Sequence, residues 1–189
     1  MFKRPIFANQ IPPSVKSFLL KITVLFFAWE FLYLVILQPL HFPDEMITNF
    51  IGSGTSFLLS FIFPQFYFDH QSIQEGLPGS IKSIVLVNGM KLIGIADGCN
   101  AFELQVLYLG VLICLQKLNQ KTIWYILVGV PLISLGNIFR CSIIGWLNIT
   151  QHLKLSAFAH HYLFKIIMYG LIFLGWISYT NESEHHAES

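Results

Sequence analysis

The chain has 189 residues, of which 54% are hydrophobic and 11% charged, the latter about half the share usual in soluble domains. A mean hydropathy of +0.63 places it in the bilayer, while a net charge of +1, a pI near 7.8 and no basic stripe exclude nucleic-acid binding. Cys99, Cys114 and Cys141 form no CxxC pair and cannot all be bridged, which excludes a disulfide framework.

In chain order, the first strong apolar span runs from about Ser17 to Leu37 and is long enough to cross the hydrocarbon core. Lys3, Arg4, Lys16 and Lys21 lie at or before its start, so residues 1–16 read as a cytoplasmic N-terminus. The stretch is too long for a cleaved signal peptide, and Pro39-Leu40-His41-Phe42-Pro43 offers no small-residue cleavage site. It reads as an uncleaved anchor. Met46–Phe68 is more polar, with Asn49, Gly52, Ser53, Gly54, Thr55, Ser56, Ser60, Pro64 and Gln65. It reads as an interfacial or re-entrant helix on the outer face. Residues 69–98 are polar by comparison. Within them Asn88-Gly89 separates Ile84-Val85-Leu86-Val87 from Met90-Lys91-Leu92-Ile93, which predicts a tight β-hairpin whose two turn residues accept positive φ. The hairpin leads straight to Cys99.

Three further spans follow: Asn100–Leu115, Thr122–Leu147 and Phe158–Tyr179. A polar link through Thr150, Gln151, His152 and Lys154 joins the last two, and residues 181–189 read as a flexible polar tail. The fold class is therefore an all-α integral membrane protein with about four transmembrane helices, one interfacial or re-entrant helix and a small extracytoplasmic β-hairpin. Residues 17–180 form a single membrane domain. With the Lys117/Lys121 loop in the cytoplasm, Cys99 opens its helix at the outer face. Arg140 then lies roughly 27 Å along the next helix from Thr122, near the outer boundary. His160 and His161 start the last helix on that same side.

A thiol, a fixed cation and an imidazole at one lipid–water boundary are what a cysteine acyl-transfer enzyme needs. Thiolate is the nucleophile, and a nearby cation, base or helix N-terminus raises its population. Cys114 and Cys141 lie within spans, away from that outer site. Arg140 is the one charged group between Thr122 and Leu147, and burying it in hydrocarbon costs at least ~2.5 kcal/mol, which points to a functional cavity. Its guanidinium presents fixed donors to a developing oxyanion. Asn137, three residues earlier on the same face, could hold that guanidinium or bind a substrate carbonyl. His160 and His161 point about 100° apart, so at most one faces Cys99 squarely, and either could act as the base. His152 reads as a loop residue, and His185 and His186 as part of a solvated tail. Glu30 sits mid-span; pairing with Arg140, binding a substrate cation and staying protonated all remain open for it. The roles of Asp97 and Glu103, which bracket the cysteine, are equally open.

The run Ala96-Asp97-Gly98-Cys99-Asn100-Ala101-Phe102-Glu103-Leu104 resembles the cysteine motif of the exosortase and archaeosortase family. Gly136-Asn137-Ile138-Phe139-Arg140 resembles its Asn-x-x-Arg motif, and Ala159-His160-His161-Tyr162 its histidine motif. Order and spacing agree over roughly Thr48 to Gly175, and the short length resembles the compact exosortase F type. One departure stands out: Asn100-Ala101 replaces the Ser-Gly or Thr-Gly often found after the cysteine. The resemblance implies a membrane cysteine protease or transpeptidase in the bacterial inner membrane, with its active site on the extracytoplasmic face. Its partners would be exported proteins carrying a C-terminal sorting signal, made of a short motif, a transmembrane helix and a basic cluster. The acceptor would be an envelope amine, lipid or glycan group, or else water, with no cofactor or metal. Cys99 would attack, Arg140 would stabilise the oxyanion or orient the thiolate, and His160 would handle protons, with His161 as the alternative base. Two other classes are a small transporter or channel subunit using Glu30 and Arg140, and a thiol-redox protein, which needs a resolving cysteine.

Overall fold

A computed structural model describes residues 13–40, 42–74, 81–115 and 119–185. The basic residues Lys3 and Arg4, the stretch with Gly76, Pro78 and Gly79, Lys117, and the residues from His186 onward lie outside the described residues.

Helix α1 (Pro13–Leu32) runs through a π-helical turn (Tyr33–Leu37) into the short α2 (Gln38–Leu40), and α3 (Asp44–Ile62) follows. Three antiparallel strands come next, β1 (Phe68–Gln74), β2 (Ile81–Val87) and β3 (Met90–Ala96), arranged β1-β2-β3. A 3-10 turn (Asp97–Cys99) opens into α4 (Phe102–Leu115), then α5 (Gln120–Ile149) and α6 (Leu153–Phe158). A second π-helical turn (Ala159–Leu163) leads into α7 (Phe164–His185).

Three stretches are long and apolar enough to cross a membrane: Val15–Leu40, Gln120–Ile149 and Leu153–Thr180. The expected crossing from Asn100 is instead the 14-residue α4. At 1.5 Å per residue it extends roughly 21 Å, less than the ~30 Å hydrocarbon core. The last long helix begins at Leu153, not Phe158, because the supposed polar link folds as α6 with Lys154 and Leu155 exposed. It also continues as helix through His185, so the first residues of the expected flexible tail are helical.

The expected hairpin is present. Val87 pairs with Met90, and the turn residues Asn88 and Gly89 have φ of 50° and 80°. Strand β1, absent from the sequence reading, pairs along the far side of β2 from Phe68↔Val87 to Gln74↔Ile81. Helix α3 lies between this sheet and α5. Its Ile51 and Leu59 meet Phe68, Val85, Ile93 and Ile95 of the sheet and Ile138 and Cys141 of α5 in one core. The small residues that lowered its hydropathy permit this two-sided packing: a Cβ on Gly52 would run into Ser83 Oγ, and one on Gly54 would lie 2.6 Å from Ile138 Cδ1.

A second core joins α4, α5 and α7 through Tyr108, Leu112, Ile133, Met168, Ile172 and Tyr179. At its far end Asn119 caps α5, its Oδ1 accepting from Thr122 N and Oγ1 at 2.8 Å each. Thr122 Oγ1 and Tyr179 Oη are 2.8 Å apart, and Lys121 Nζ donates to Tyr179 O at 2.9 Å. These bonds clasp the start of α5 to the end of α7.

Candidate functional site

Cys99 closes the 3-10 turn between β3 and α4 and is partly buried. The next two residues fix its position. Asn100 is 1% exposed; its Nδ2 donates to Asp44 Oδ1 at 2.9 Å and Thr48 Oγ1 at 3.1 Å, and its Oδ1 accepts from Phe102 N at 2.9 Å. Asp44 Oδ2 accepts from Tyr33 Oη at 2.9 Å. One side chain thus ties the turn to the start of α3 and, through Asp44, to the π-helical turn of the first span. Ala101 has φ 66°, a left-handed conformation disfavoured for a residue with a Cβ. The turn after Cys99 is therefore held by a buried amide.

On α5, Asn137 is fully buried and bonds in two directions. Its Nδ2 donates to the Cys99 carbonyl at 2.8 Å, and its Oδ1 accepts from Arg140 Nη1 at 3.3 Å. Of the two roles open to it in sequence, the structure shows it holding the guanidinium, and one of its two amide N–H groups is committed to the Cys99 carbonyl. Arg140 Nη2 lies 3.1 Å from His160 Nδ1. Arginine has donors only, so Nδ1 accepts and the ring proton sits on Nε2. Arg140 Nε is buried without a partner.

His160 and His161 both lie in the π-helical turn Ala159–Leu163, their ring centroids 5.0 Å apart. Such turns inside α-helices recur at functional sites. His160 is half-buried on Arg140, whereas His161 is exposed.

Cys99, Arg140, His160 and His161 line two clefts, one on each side of them. The first, about 390 Å³, runs between β3 (Lys91–Ile95) and α6 (Leu153, Ser156, Ala157). The second, about 310 Å³, descends between α4 (Phe102–Leu104) and α7 (Phe164, Lys165, Met168, Tyr169). Cys99, Arg140 and the two histidines, which the sequence puts at one face, thus line the same two clefts. Cys141 also lines the first cleft, contrary to the expectation that it lies away from the site: it is the residue after Arg140 and faces the α3–sheet core. Glu30 is elsewhere. It shares a cleft of about 250 Å³ with Glu103 between α1 and α4, and neither carboxylate bonds Arg140 among the described residues. The backbone of Asp97 starts the Cys99 turn.

Sequence reasoning missed Asp44, Thr48 and Tyr33. The available signal was the unusual Asn100, a fully polar residue between cysteine and an apolar helix. No family model, curated protein or solved structure matches this chain.

Proposed function

We propose that this protein is a membrane-embedded cysteine protease or transpeptidase. It would cleave C-terminal sorting signals of exported proteins at the extracytoplasmic face of a bacterial inner membrane and pass the acyl group to an envelope acceptor or water. One observation carries this reading: an Arg140–His160 pair, held by an asparagine that also grips the Cys99 backbone, shares both clefts with the cysteine.

The Arg140–His160 bond supports one order of events on this reading. When a substrate carbonyl oxygen takes Arg140 Nη2, His160 Nδ1 is released and can accept the thiol proton. Cys99 Sγ adds to the carbonyl carbon, and the guanidinium steadies the oxyanion. The C–N bond then breaks, and the leaving amine takes the proton from Nδ1. An acceptor amine or hydroxyl, or water, next attacks the thioester, gives its proton to the ring, and frees the thiol. His161, unbonded to Arg140 and lining both clefts, is the alternative base.

The test is processing of a co-expressed tailed substrate, followed by mass. Cys99→Ala and Cys99→Ser are expected to reduce it by at least about a thousandfold. Unchanged processing in Cys99→Ala would end the proposal.

The position of Cys141 supports a second reading, dithiol exchange with Cys99. Cys141→Ala separates the two. It leaves acyl transfer intact and abolishes exchange.

A further inference from the structure

The first cleft has a feature that thiol chemistry alone does not require: one wall is a sheet edge. Among the described residues strand β3 pairs only with β2, and Lys91 to Ile95 line the cleft. The β2–β3 register shifts between Val85 and Leu86, which leaves Leu92 as the extra residue of a bulge. Asn148 Nδ2 donates to the Leu92 carbonyl at 3.3 Å, and no other hydrogen bond from outside the sheet reaches β3 among the described residues. The bulge blunts the far end of the edge, as edge strands often require. Toward Cys99 the strand alternates: Ile93 and Ile95 are buried in the core, whereas Gly94 is exposed and Ala96 half-buried. A Cβ on Gly94 would meet only the Lys91 side chain, at 3.7 Å, so the backbone is bare at this point.

We propose that β3 is a docking strand for the acyl donor. An extended peptide pairs in parallel with Ile93–Ala96, its scissile carbonyl arrives at Cys99, and the chain beyond enters the cleft between α4 and α7. This rests on Cys99 being the nucleophile. Polarity follows from where each half must go. Strand β3 runs toward Cys99 through the Asp97–Cys99 turn, so a parallel partner brings its C-terminal end to the sulfur. The retained half then lies on the sheet, and the departing half meets Phe102, Leu104, Phe164 and Met168 beside Glu103 and Lys165, a mixed passage whose apolar side suits a helix-forming tail. Main-chain pairing supplies the affinity and tolerates varied side chains. Among the described residues Lys91 and Arg140 are the fixed charges of the first cleft and no carboxylate lines it, so the stub is neutral or acidic.

The experiment uses the full chain in lipid nanodiscs and N-acetyl tetrapeptidyl vinyl sulfones, whose electrophilic carbon stands in for the scissile carbonyl. Adducts are located at Cys99 by peptide mass, and the labelling rate is compared across probes N-methylated at each amide in turn. The expected pattern has period two: methylation at alternate amides slows labelling about tenfold, and at the amides between by less than about twofold. A probe with Glu at its second residue labels faster than one with Lys. Equal sensitivity at every amide, or none at any, overturns strand pairing; Lys outpacing Glu overturns the stated charge. Iodoacetamide distinguishes the failures. If it alkylates Cys99 while the period is missing, docking alone is wrong. If Cys99 resists it and every vinyl sulfone, the nucleophile reading falls and docking falls with it.

Discussion

The two ends of the helix bundle use similar residue types for opposite purposes. At the clasp, Asn119, Lys121, Thr122 and Tyr179 bond to one another, and Tyr125 stacks edge-on against Tyr179 with centroids 5.2 Å apart. At the other end Cys99, Asn137, Arg140 and His160 are just as closely linked, yet the chain opens two clefts around them and leaves Arg140 Nε unmet. An unmet buried donor costs free energy that a closed network recovers. The clasp therefore reads as stability, and the other end as a site kept open at stability's expense.

That contrast can be broken by substitution. Arg140→Lys keeps the charge but loses the fork that reaches Asn137 and His160 together. Processing should fall about a hundredfold while the thermal midpoint hardly moves. A large loss of midpoint instead would make Arg140 a structural residue. On the clasp side, a Cβ on Gly129 would overlap the Tyr108 ring, which is buried and bonded to Tyr125 O at 3.0 Å. Gly129→Ala should cost about 2 kcal/mol in thermal unfolding and leave turnover per folded molecule unchanged. Ala101→Gly should produce the smallest effect and the opposite sign. Relieving φ 66° should raise stability by up to about 1 kcal/mol, and loosening the turn beside Cys99 should lower processing slightly. A stability decrease would show that the Ala101 methyl matters more in its core than the strain does.

Sequence resolved these two ends unequally. Asn88-Gly89 announced its hairpin because only a few residues accept two consecutive positive φ values. Arg140 announced a cavity because an isolated cation in an apolar span needs one. Strand β1 gave no such signal: in Phe68-Asp69-His70-Gln71-Ser72-Ile73 only Phe68 is buried, so the period-two pattern is missing. Helix α3 was harder still, since Gly52, Gly54, Thr55 and Ser56 look polar in isolation and serve as close-packing surfaces between two partners. The Tyr33–Asp44–Asn100 link joins segments 11 and 56 residues apart, and nothing local in any of them marks it. Residue type was enough to mark Cys99, Arg140 and His160 as candidates. Their bonding order, and hence which ring nitrogen is engaged, needed coordinates.

The π-helical turn at Ala159–Leu163 acts as a shim between two seams. Above it the buried positions are Ser156 and Ala159; below it they are Phe164, Met168, Ile172 and Tyr179. Ser156 to Ala159 is a step of three, Phe164 to Met168 and Met168 to Ile172 are steps of four, and Ile172 to Tyr179 is seven, two turns, whereas across the turn from Ala159 to Phe164 the step is five. One surplus residue lets the upper segment aim histidines at Arg140 while the lower one stays in phase with α4 and α5. Trimming that residue would force a single phase on the whole rod, so that either the imidazoles would swing off the guanidinium or Tyr179 would leave its socket.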